Sequence, residues 1–148
     1  MTVSPVDFLR SAQIMMNHHE EIDHRNAASR AYMGAYHACR FLRDALELGP
    51  LPSILKVEGS HRKLIRTLQQ APVPLKKGAV WAHARRIRQL GQQLKSLRDL
   101  QNAAEYRISR NFSRNDARQV VAASREIIRV VDMILREEGD EGDKTDAT

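Results

Sequence analysis

Residues 28–45 read ASRAYMGAYHACRFLRDA, and in this stretch the apolar and small side chains recur every three or four positions. On an α-helix such positions share one face: Ala28, Ala31, Tyr32, Ala35, Ala38, Cys39, Leu42 and Ala45. Most of these side chains are small, so neighbouring helices can approach that face closely. The stretch therefore predicts the central helix of an all-α protein.

Proline, glycine and capping residues divide the rest of the chain into further helical segments, and none alternates every second residue as a half-buried strand does. The predicted helices run from Ser4 to about His18, from Asp23 to about Leu48, from His61 to Gln70, from Lys77 to Ile108 and from Ser113 to Gly139. The predicted N-terminal caps are Ser4, Asp23, Ser60 and the pair of Ser113 and Asp116. We predict an up-and-down bundle of about five helices over residues 1–138, followed by a flexible acidic tail over residues 139–148.

The chain of 148 residues is long enough for one compact core and too short for two ordinary domains. Its lone cysteine, Cys39, falls in the apolar stripe of the central helix, as expected in a reducing compartment. No apolar run approaches the ~20 residues of a membrane helix, and Met1 to Pro5 lack the layout of a signal peptide. We therefore expect a cytoplasmic protein.

Charge is distributed unevenly along the chain. Residues 1–136 carry 23 Lys and Arg against 12 Asp and Glu, a formal net charge of +11, whereas residues 137–148 are acidic. Cations are concentrated in residues 76–118, and Arg107, Arg110, Arg114 and Arg118 surround the turn before the last helix. Arginine forks suit phosphate recognition, so these four are candidate RNA-binding residues. The alternative is a solvated basic surface without a ligand.

Three stretches of the sequence have a distinctive composition: the alanine- and tyrosine-rich residues 29–39, the histidine-led short helix from Gly59 to Ile65, and the stretch LRDLQNAAEY at residues 97–106. Together they resemble the HEPN (higher eukaryotes and prokaryotes nucleotide-binding) family. The resemblance is to the family's branch of small stand-alone bacterial proteins. It implies a helical bundle, a homodimer and a ribonuclease toxin or defence component, often encoded with a nucleotidyltransferase partner.

In the nuclease members of that family, an arginine followed by a polar residue and later a histidine cleaves RNA without metal at the dimer seam. Here Gln101 and Asn102 occupy the place of the Arg-Asn pair, and Tyr106 that of the histidine. Arg98, Asn102 and Tyr106 lie four residues apart and share one flank of the helix. We take them as the candidate catalytic row. The alternative is that Arg98 pairs with a nearby acid and Tyr106 packs its ring in the core.

Gln101 interrupts an otherwise apolar stripe on the longest predicted helix, a stripe that suits either a bundle core or a dimer seam. A buried amide can set the register of two helices or border a wet cleft. We favour a cleft between two protomers. Phe112 either stacks on an unpaired base or, as we favour, plugs the end of the bundle.

The histidines are expected to be structural. The tract from His18 to His24 is better explained as a solvated polar turn than as a metal site, because its spacing does not suit one helix face. His37 and His61 fall on helices where they are expected to be satisfied by neighbours. We expect no metal and no cofactor.

Three functions follow from these observations. The first is an RNA-binding, ribonuclease-like protein of a bacterial toxin–antitoxin or anti-phage system, with cleavage weakened or lost because Gln101 is neutral. The second is a catalytically silent adaptor that dimerises and binds a protein partner such as a nucleotidyltransferase. The third is an active metal-independent ribonuclease that uses Arg98 and Tyr106. A helix-turn-helix DNA reader is disfavoured, because the last helix is too apolar to expose a groove-reading face.

Overall fold

The computed structural model describes residues 3–48, 59–71, 79–106 and 111–146. Within these ranges the chain forms five helices and no strand. The helices are α1 (Pro5–Met15), α2 (Glu21–Ala45), α3 (Ser60–Gln69), α4 (Ala79–Tyr106) and α5 (Arg114–Asp146). The prediction of an all-α bundle is confirmed. No helix in the described residues is both long enough and apolar enough to cross a membrane.

Two helices begin at caps that the sequence predicts. The pair of Ser113 and Asp116 caps α5 as predicted, and at the predicted cap Ser4 of α1 the structure adds Asp7 to complete a second capping box. In α1 the N–H of Ser4 donates to Asp7 Oδ2 at 2.9 Å, and the N–H of Asp7 donates to Ser4 Oγ at 3.3 Å. In α5 the N–H of Ser113 donates to Asp116 Oδ2 at 2.8 Å, and the N–H of Asp116 donates to Ser113 Oγ at 3.0 Å. Each box satisfies backbone donors that a helix N-terminus otherwise leaves unpaired.

Other predicted boundaries are displaced. Helix α1 ends at Met15, before the predicted His18, and α3 takes Gly59 as its N-cap, so Ser60 is already helical. Helix α2 begins at Glu21, ahead of the predicted cap Asp23. Its start is held by a tertiary contact, because the Glu21 carboxylate accepts a hydrogen bond from the N–H of Phe112.

The prediction that Gly139 ends the last helix was wrong, since α5 continues to Asp146. An internal glycine costs a helix only about 1 kcal/mol relative to alanine, which is too little to end a helix whose earlier turns are packed. The division between a bundle and a tail at residue 139 stays a prediction.

Helix α2 is the centre of the bundle and contacts each of the other four helices. The small residues predicted on its inner face are buried at Ala28, Ala31, Ala35, Ala38 and Cys39. Ala45, which was predicted on the same face, is exposed at the end of the helix. An added Cβ atom at Gly34 would lie 2.9 Å from the carbonyl oxygen of Pro5. The small face of α2 therefore allows α1 to pack directly on its backbone.

The apolar stripe of α4 is used inside the monomer. Ile87, Leu90, Leu94 and Leu97 are at most 1% exposed, and they belong to the same core as α2 and α5. Gln101 continues the stripe and is only 7% exposed. The sequence left open whether this stripe forms a bundle core or a dimer seam. In the structure, this part of the stripe packs in the bundle core of a single chain.

Candidate nucleic-acid interface

A groove of about 440 Å³ lies between α3 and α4. Its polar lining comes from two facing helices: Arg62, Arg66, Gln69 and Gln70 from the α3 side, and Lys95, Arg98, Asp99 and Asn102 from α4. Ile65 supplies apolar surface. On each helix lining residues recur at spacings of three and four positions, at 62, 66 and 69 on α3 and at 95, 98 and 102 on α4, so each helix contributes one continuous row.

Close packing of α3 on α4 brings the two rows together. Helix α3 buries Leu64, Ile65 and Leu68, which turns Arg62 and Arg66, one helical turn apart, toward the groove. An added Cβ atom at Gly91 of α4 would lie 2.8 Å from the backbone nitrogen of Gln69. The glycine thus allows α3 to approach the α4 backbone.

The groove is strongly cationic. Arg62, Arg66, Lys95 and Arg98 line it, and Asp99 is its one carboxylate among the described residues. Within the described part of the chain, Arg62, Lys95 and Arg98 take part in no ion pair. The alternative in which Arg98 pairs with a nearby acid is therefore not observed. Several uncompensated cations facing one concave surface favour an anionic ligand.

The structure brings together part of the predicted catalytic row. Arg98 and Asn102 are half-buried and both line the groove. Tyr106 is the last residue of α4, one turn beyond Asn102, and its side chain lies outside the described part of the chain. The shared flank predicted from four-residue spacing is thus confirmed for the first two residues.

Of the four predicted RNA-binding arginines, the structure describes two, and neither lines this groove. Arg107 and Arg110 lie outside the described residues. Arg114 and Arg118 are exposed on the first turns of α5 and are not among the residues that line the groove. They remain candidates for a separate phosphate contact.

Gln101 does not border the groove, although its neighbours Arg98 and Asn102 do. Its side chain is buried on the core side of α4. The cationic cleft beside it lies between two helices of one chain, whereas the sequence favoured a cleft between protomers. A neutral, buried amide at this position places no positive charge at the surface where a phosphate would lie.

Phe112 plugs the end of the bundle, as favoured from the sequence. Its ring is 9% exposed, and Cζ of Arg25 lies 5.5 Å from the ring centroid. Arg25 is also 3.6 Å from the carboxylate of Glu21. A ring covered in this way does not offer its face to an unpaired base.

His37 and His61 belong to an aromatic cluster at the interface of α1, α2 and α3. The ring of His61 stacks on Tyr36 with centroids 4.0 Å apart, and His61 Nδ1 lies 2.6 Å from the Tyr32 hydroxyl. The ring of His37 stacks on Phe8. Burial, and secondarily the charge of Arg40, lowers the pKa of His37. These contacts agree with structural roles for both histidines.

The polar tract before α2 forms a local contact between His18 and Asp23, whose side chains lie 3.6 Å apart. Among the described residues, no group of three His, Cys, Asp or Glu side chains is placed to hold a metal ion.

Sequence reasoning missed Arg62 and Arg66 as site residues. The usable signal was the amphipathic pattern of HRKLIRTLQ at residues 61–69, which separates an arginine face from a leucine and isoleucine face. The pattern predicts that these arginines are exposed. It does not reveal that the short helix packs beside Lys95 and Arg98, because that depends on contacts between distant segments.

Comparison of the chain with protein-family models, with curated proteins and with solved structures found no match. The resemblance to the HEPN family remains a prediction that rests on the residues quoted above.

Proposed function

We propose that this chain is an RNA-binding, ribonuclease-like protein of the HEPN type, which acts in the cytoplasm in a bacterial toxin–antitoxin or anti-phage system. The observation that carries the proposal is the groove between α3 and α4, where Arg62, Lys95 and Arg98 have no described acidic partner. Such a surface lowers the free energy of a bound phosphate chain through Coulomb attraction and counterion release.

The two cationic rows suit a nucleic-acid backbone better than a single small anion. Arg62 and Arg66 follow one helix, and Lys95 and Arg98 follow the other, so positive charge extends along both walls. A strand in the groove places successive phosphates near both rows, and arginine contributes paired N–H donors to each phosphate. The amide of Asn102 offers both a donor and an acceptor to a base or a ribose hydroxyl.

Cleavage is proposed to be weakened or lost. Metal-free RNA cleavage requires a base that takes the proton of the 2′-hydroxyl and a cation that stabilises charge on the phosphate. Gln101 is neutral and buried, and the amide of Asn102 is not a base. Arg98 is the cation of the candidate row and can still contact a phosphate. The proposal therefore retains RNA binding, whereas the acid–base chemistry of cleavage is weakened or lost.

Binding to a fluorescently labelled single-stranded RNA tests the proposal. We expect Arg98→Ala and Arg62→Ala each to weaken binding about three- to tenfold, since each removes a phosphate contact. Arg85→Ala is the matched control, because Arg85 is an exposed arginine of the same helix that does not line the groove. Equal losses for Arg85→Ala and Arg98→Ala would contradict the proposed site.

Incubation of the same RNA with purified protein separates binding from cleavage. The proposal predicts intact RNA at protein concentrations that saturate binding. Cleavage that disappears in both Arg98→Ala and Tyr106→Phe would instead establish the active ribonuclease that uses Arg98 and Tyr106.

A silent adaptor is the second candidate. It is favoured by an apolar groove of about 600 Å³ between α1, α2 and α5, which is suited to a protein contact. The family resemblance implies that this partner is a protein of the nucleotidyltransferase type. Absence of salt-sensitive RNA binding, together with stable capture of such a partner, would favour the adaptor over the RNA-binding protein.

A further inference from the structure

The groove between α1, α2 and α5 is apolar along the whole of its α1 and α2 side. The residues that line it from these two helices are all apolar: Pro5, Val6, Leu9, Ala38, Phe41 and Ala45. Leu9 and Ala38 are buried, whereas Val6 is 48% exposed and Phe41 is 54% exposed. A concave apolar surface that leaves large side chains exposed is typical of a site that a partner covers.

The α5 wall of the groove adds a row of charged side chains. They recur at spacings of four, three and four residues, so they follow one edge of the helix: Arg125, Arg129, Asp132 and Arg136. Apolar residues of the same helix also line the groove: Ile128, Val131 and Leu135. Three arginines and one aspartate give the lining residues a net charge of +2, and all of this charge lies on the α5 side.

The arginines of this row are unequally compensated. Arg129 lies 2.6 Å from Glu126, and Arg136 lies 3.0 Å from Asp132, but all four side chains are exposed. Exposed pairs of this kind contribute little to stability and are easily exchanged. Arg125 takes part in no ion pair within the described residues. A carboxylate from outside the chain is therefore favoured most beside Arg125.

We propose that the groove binds an amphipathic helix of another protein, with its apolar face in the groove and an acidic edge along the arginines of α5. Arg136 follows Arg125 by 11 positions, which corresponds to about 16 Å, or about three helical turns. A helix in a groove uses apolar anchors at every third or fourth position, which is also the spacing of the apolar residues on the α5 wall.

The row of charges also specifies where the acidic residues of the partner lie. Two helices that run side by side have the same rise per residue, so acidic residues four positions apart face Arg125 and Arg129. The position opposite Asp132 is expected to be neutral or basic, because a carboxylate there would meet a like charge. The proposal thus specifies a charge pattern on the partner helix in addition to an apolar face.

Other occupants fit the groove less well. The acidic residues 137–148 of this chain contain no leucine, isoleucine, valine, methionine or aromatic residue to fill it. A flat anionic lipid surface reaches the exposed edge but not the buried Leu9 and Ala38. A second copy of α5 would bring arginines against arginines, since three of the four charged lining residues are basic.

This proposal makes specific the protein contact named above for the adaptor, but it does not require RNA binding to be absent. The two grooves share no lining residue. A partner helix and an RNA can therefore occupy the same chain, each at its own groove. The two proposals can also fail separately.

Selection from a displayed library of helical peptides of about 15 residues tests the proposal on the full chain, because the library presents many charge patterns. Peptides that bind the wild type but not Phe41→Glu are the relevant ones. We expect them to share apolar residues at every third or fourth position and two acidic residues four positions apart along one edge.

Charge reversal then tests the contact with α5 directly. By fluorescence polarisation, Arg125→Glu should bind the most enriched peptide about tenfold more weakly or worse, because like charges then face each other. A peptide whose acidic residue at that contact is changed to lysine should prefer Arg125→Glu to the wild type. This reversed preference requires a folded groove, so a defect in folding cannot produce it.

Arg85→Glu is the matched control, because Arg85 is exposed on α4 and lines neither groove. It should bind the peptide as the wild type does. Phe41→Glu should keep its circular dichroism spectrum and its RNA binding while it loses the peptide. Measurement of both ligands on each variant therefore separates a failure of this proposal from a failure of the RNA site.

Several outcomes would overturn the proposal. The selection may yield no peptide whose binding depends on Phe41, or peptides without the acidic pair. Equal losses in Arg85→Glu and Arg125→Glu, or no reversed preference for the lysine peptide, would also overturn it. Binding of phosphatidylglycerol vesicles that is lost in Phe41→Glu, in the absence of such peptides, would assign the groove to a lipid surface instead.

Discussion

Glycines inside helices differ in what an added Cβ atom would touch. At Gly91 it would lie 2.8 Å from the backbone nitrogen of Gln69 and 3.1 Å from Leu68 Cβ, whereas at Gly139 nothing lies within 4 Å. A flexible side chain can move away from a new methyl group, but the backbone of a packed helix yields only when the helix shifts. Gly91 is therefore a packing requirement, and Gly139 is not.

Substitution by alanine should have opposite effects at these two positions. We expect Gly91→Ala to lower the free energy of unfolding by about 1–3 kcal/mol, because overpacking at the α3 backbone outweighs the gain in helix propensity. Gly139→Ala should raise it by up to about 1 kcal/mol. Urea denaturation followed by circular dichroism measures both, and a stabilising Gly91→Ala would contradict the close approach of α3.

The thiol of Cys39 should be unreactive in the folded protein. The side chain is fully buried, and burial raises the pKa of the thiol to about 12, so the reactive thiolate is scarce at neutral pH. We expect Ellman's reagent to modify Cys39 rapidly in denaturant and very slowly without it. Rapid modification of the native protein would show that α2 is not at the centre of the bundle.

Single residues also show where sequence reasoning stops. The pattern of α4 identifies Gln101 as a polar interruption, and the structure confirms that it continues the buried stripe. The pattern does not tell whether a partner helix or the chain's own core covers it. The answer depends on where α2 and α5 pack, and the residues near Gln101 do not determine that packing.

At the scale of single helices, the ends that were predicted well are those held by local interactions. The boxes of Ser4 with Asp7 and of Ser113 with Asp116 each join residues three positions apart, so the sequence reveals them directly. The start of α2 is held by Glu21 and Phe112, which are 91 positions apart. Such a contact exists only after the bundle has formed, and no local pattern predicts it.

The capping box of α1 should make the stability of the folded protein depend on pH in the acidic range. Hydrogen bonds, first from the backbone N–H of Ser4 and then from its hydroxyl, lower the pKa of the Asp7 carboxyl below its ordinary value of 3.8. A lowered pKa in the folded state contributes stability above the unfolded-state pKa, and that stability is lost as the pH falls through the folded-state pKa. The contribution is therefore fully present at neutral pH.

We expect Asp7→Asn to lower the Tm at pH 7, and the difference from the wild type to shrink as the pH falls below 3.8. Thermal melts across this range measure the difference. Asp44→Asn is the control, since its carboxylate contacts only a neighbouring side chain, Arg43 at 3.1 Å, among the described residues. A pH dependence in Asp44→Asn equal to that in Asp7→Asn would contradict a specific role for the cap.

For the whole molecule, the sequence predicted the fold class and the sign of the charge, but not the place where the charge converges. Helical periodicity is a local property, and net charge is a sum, so both can be read without a structure. The groove requires α3 to pack beside α4 at Gly91, which brings Arg62 and Arg66 opposite Lys95 and Arg98. From the sequence we predicted two residues of the groove, Arg98 and Asn102, but not the arginines of α3 on its opposite wall.

The salt dependence of RNA affinity tests most directly whether this groove is a phosphate-binding site. For single-stranded RNA, the slope of log K against log salt concentration changes by about 0.7 for each phosphate contact. The double variant Arg62→Ala/Arg98→Ala should therefore bind more weakly, with a slope shallower by about 1.4. The control Arg85→Ala/Arg88→Ala, altered at exposed arginines outside the groove, should keep the wild-type slope. The account would be contradicted if the groove variant kept the wild-type slope and the control variant showed the shallower slope instead.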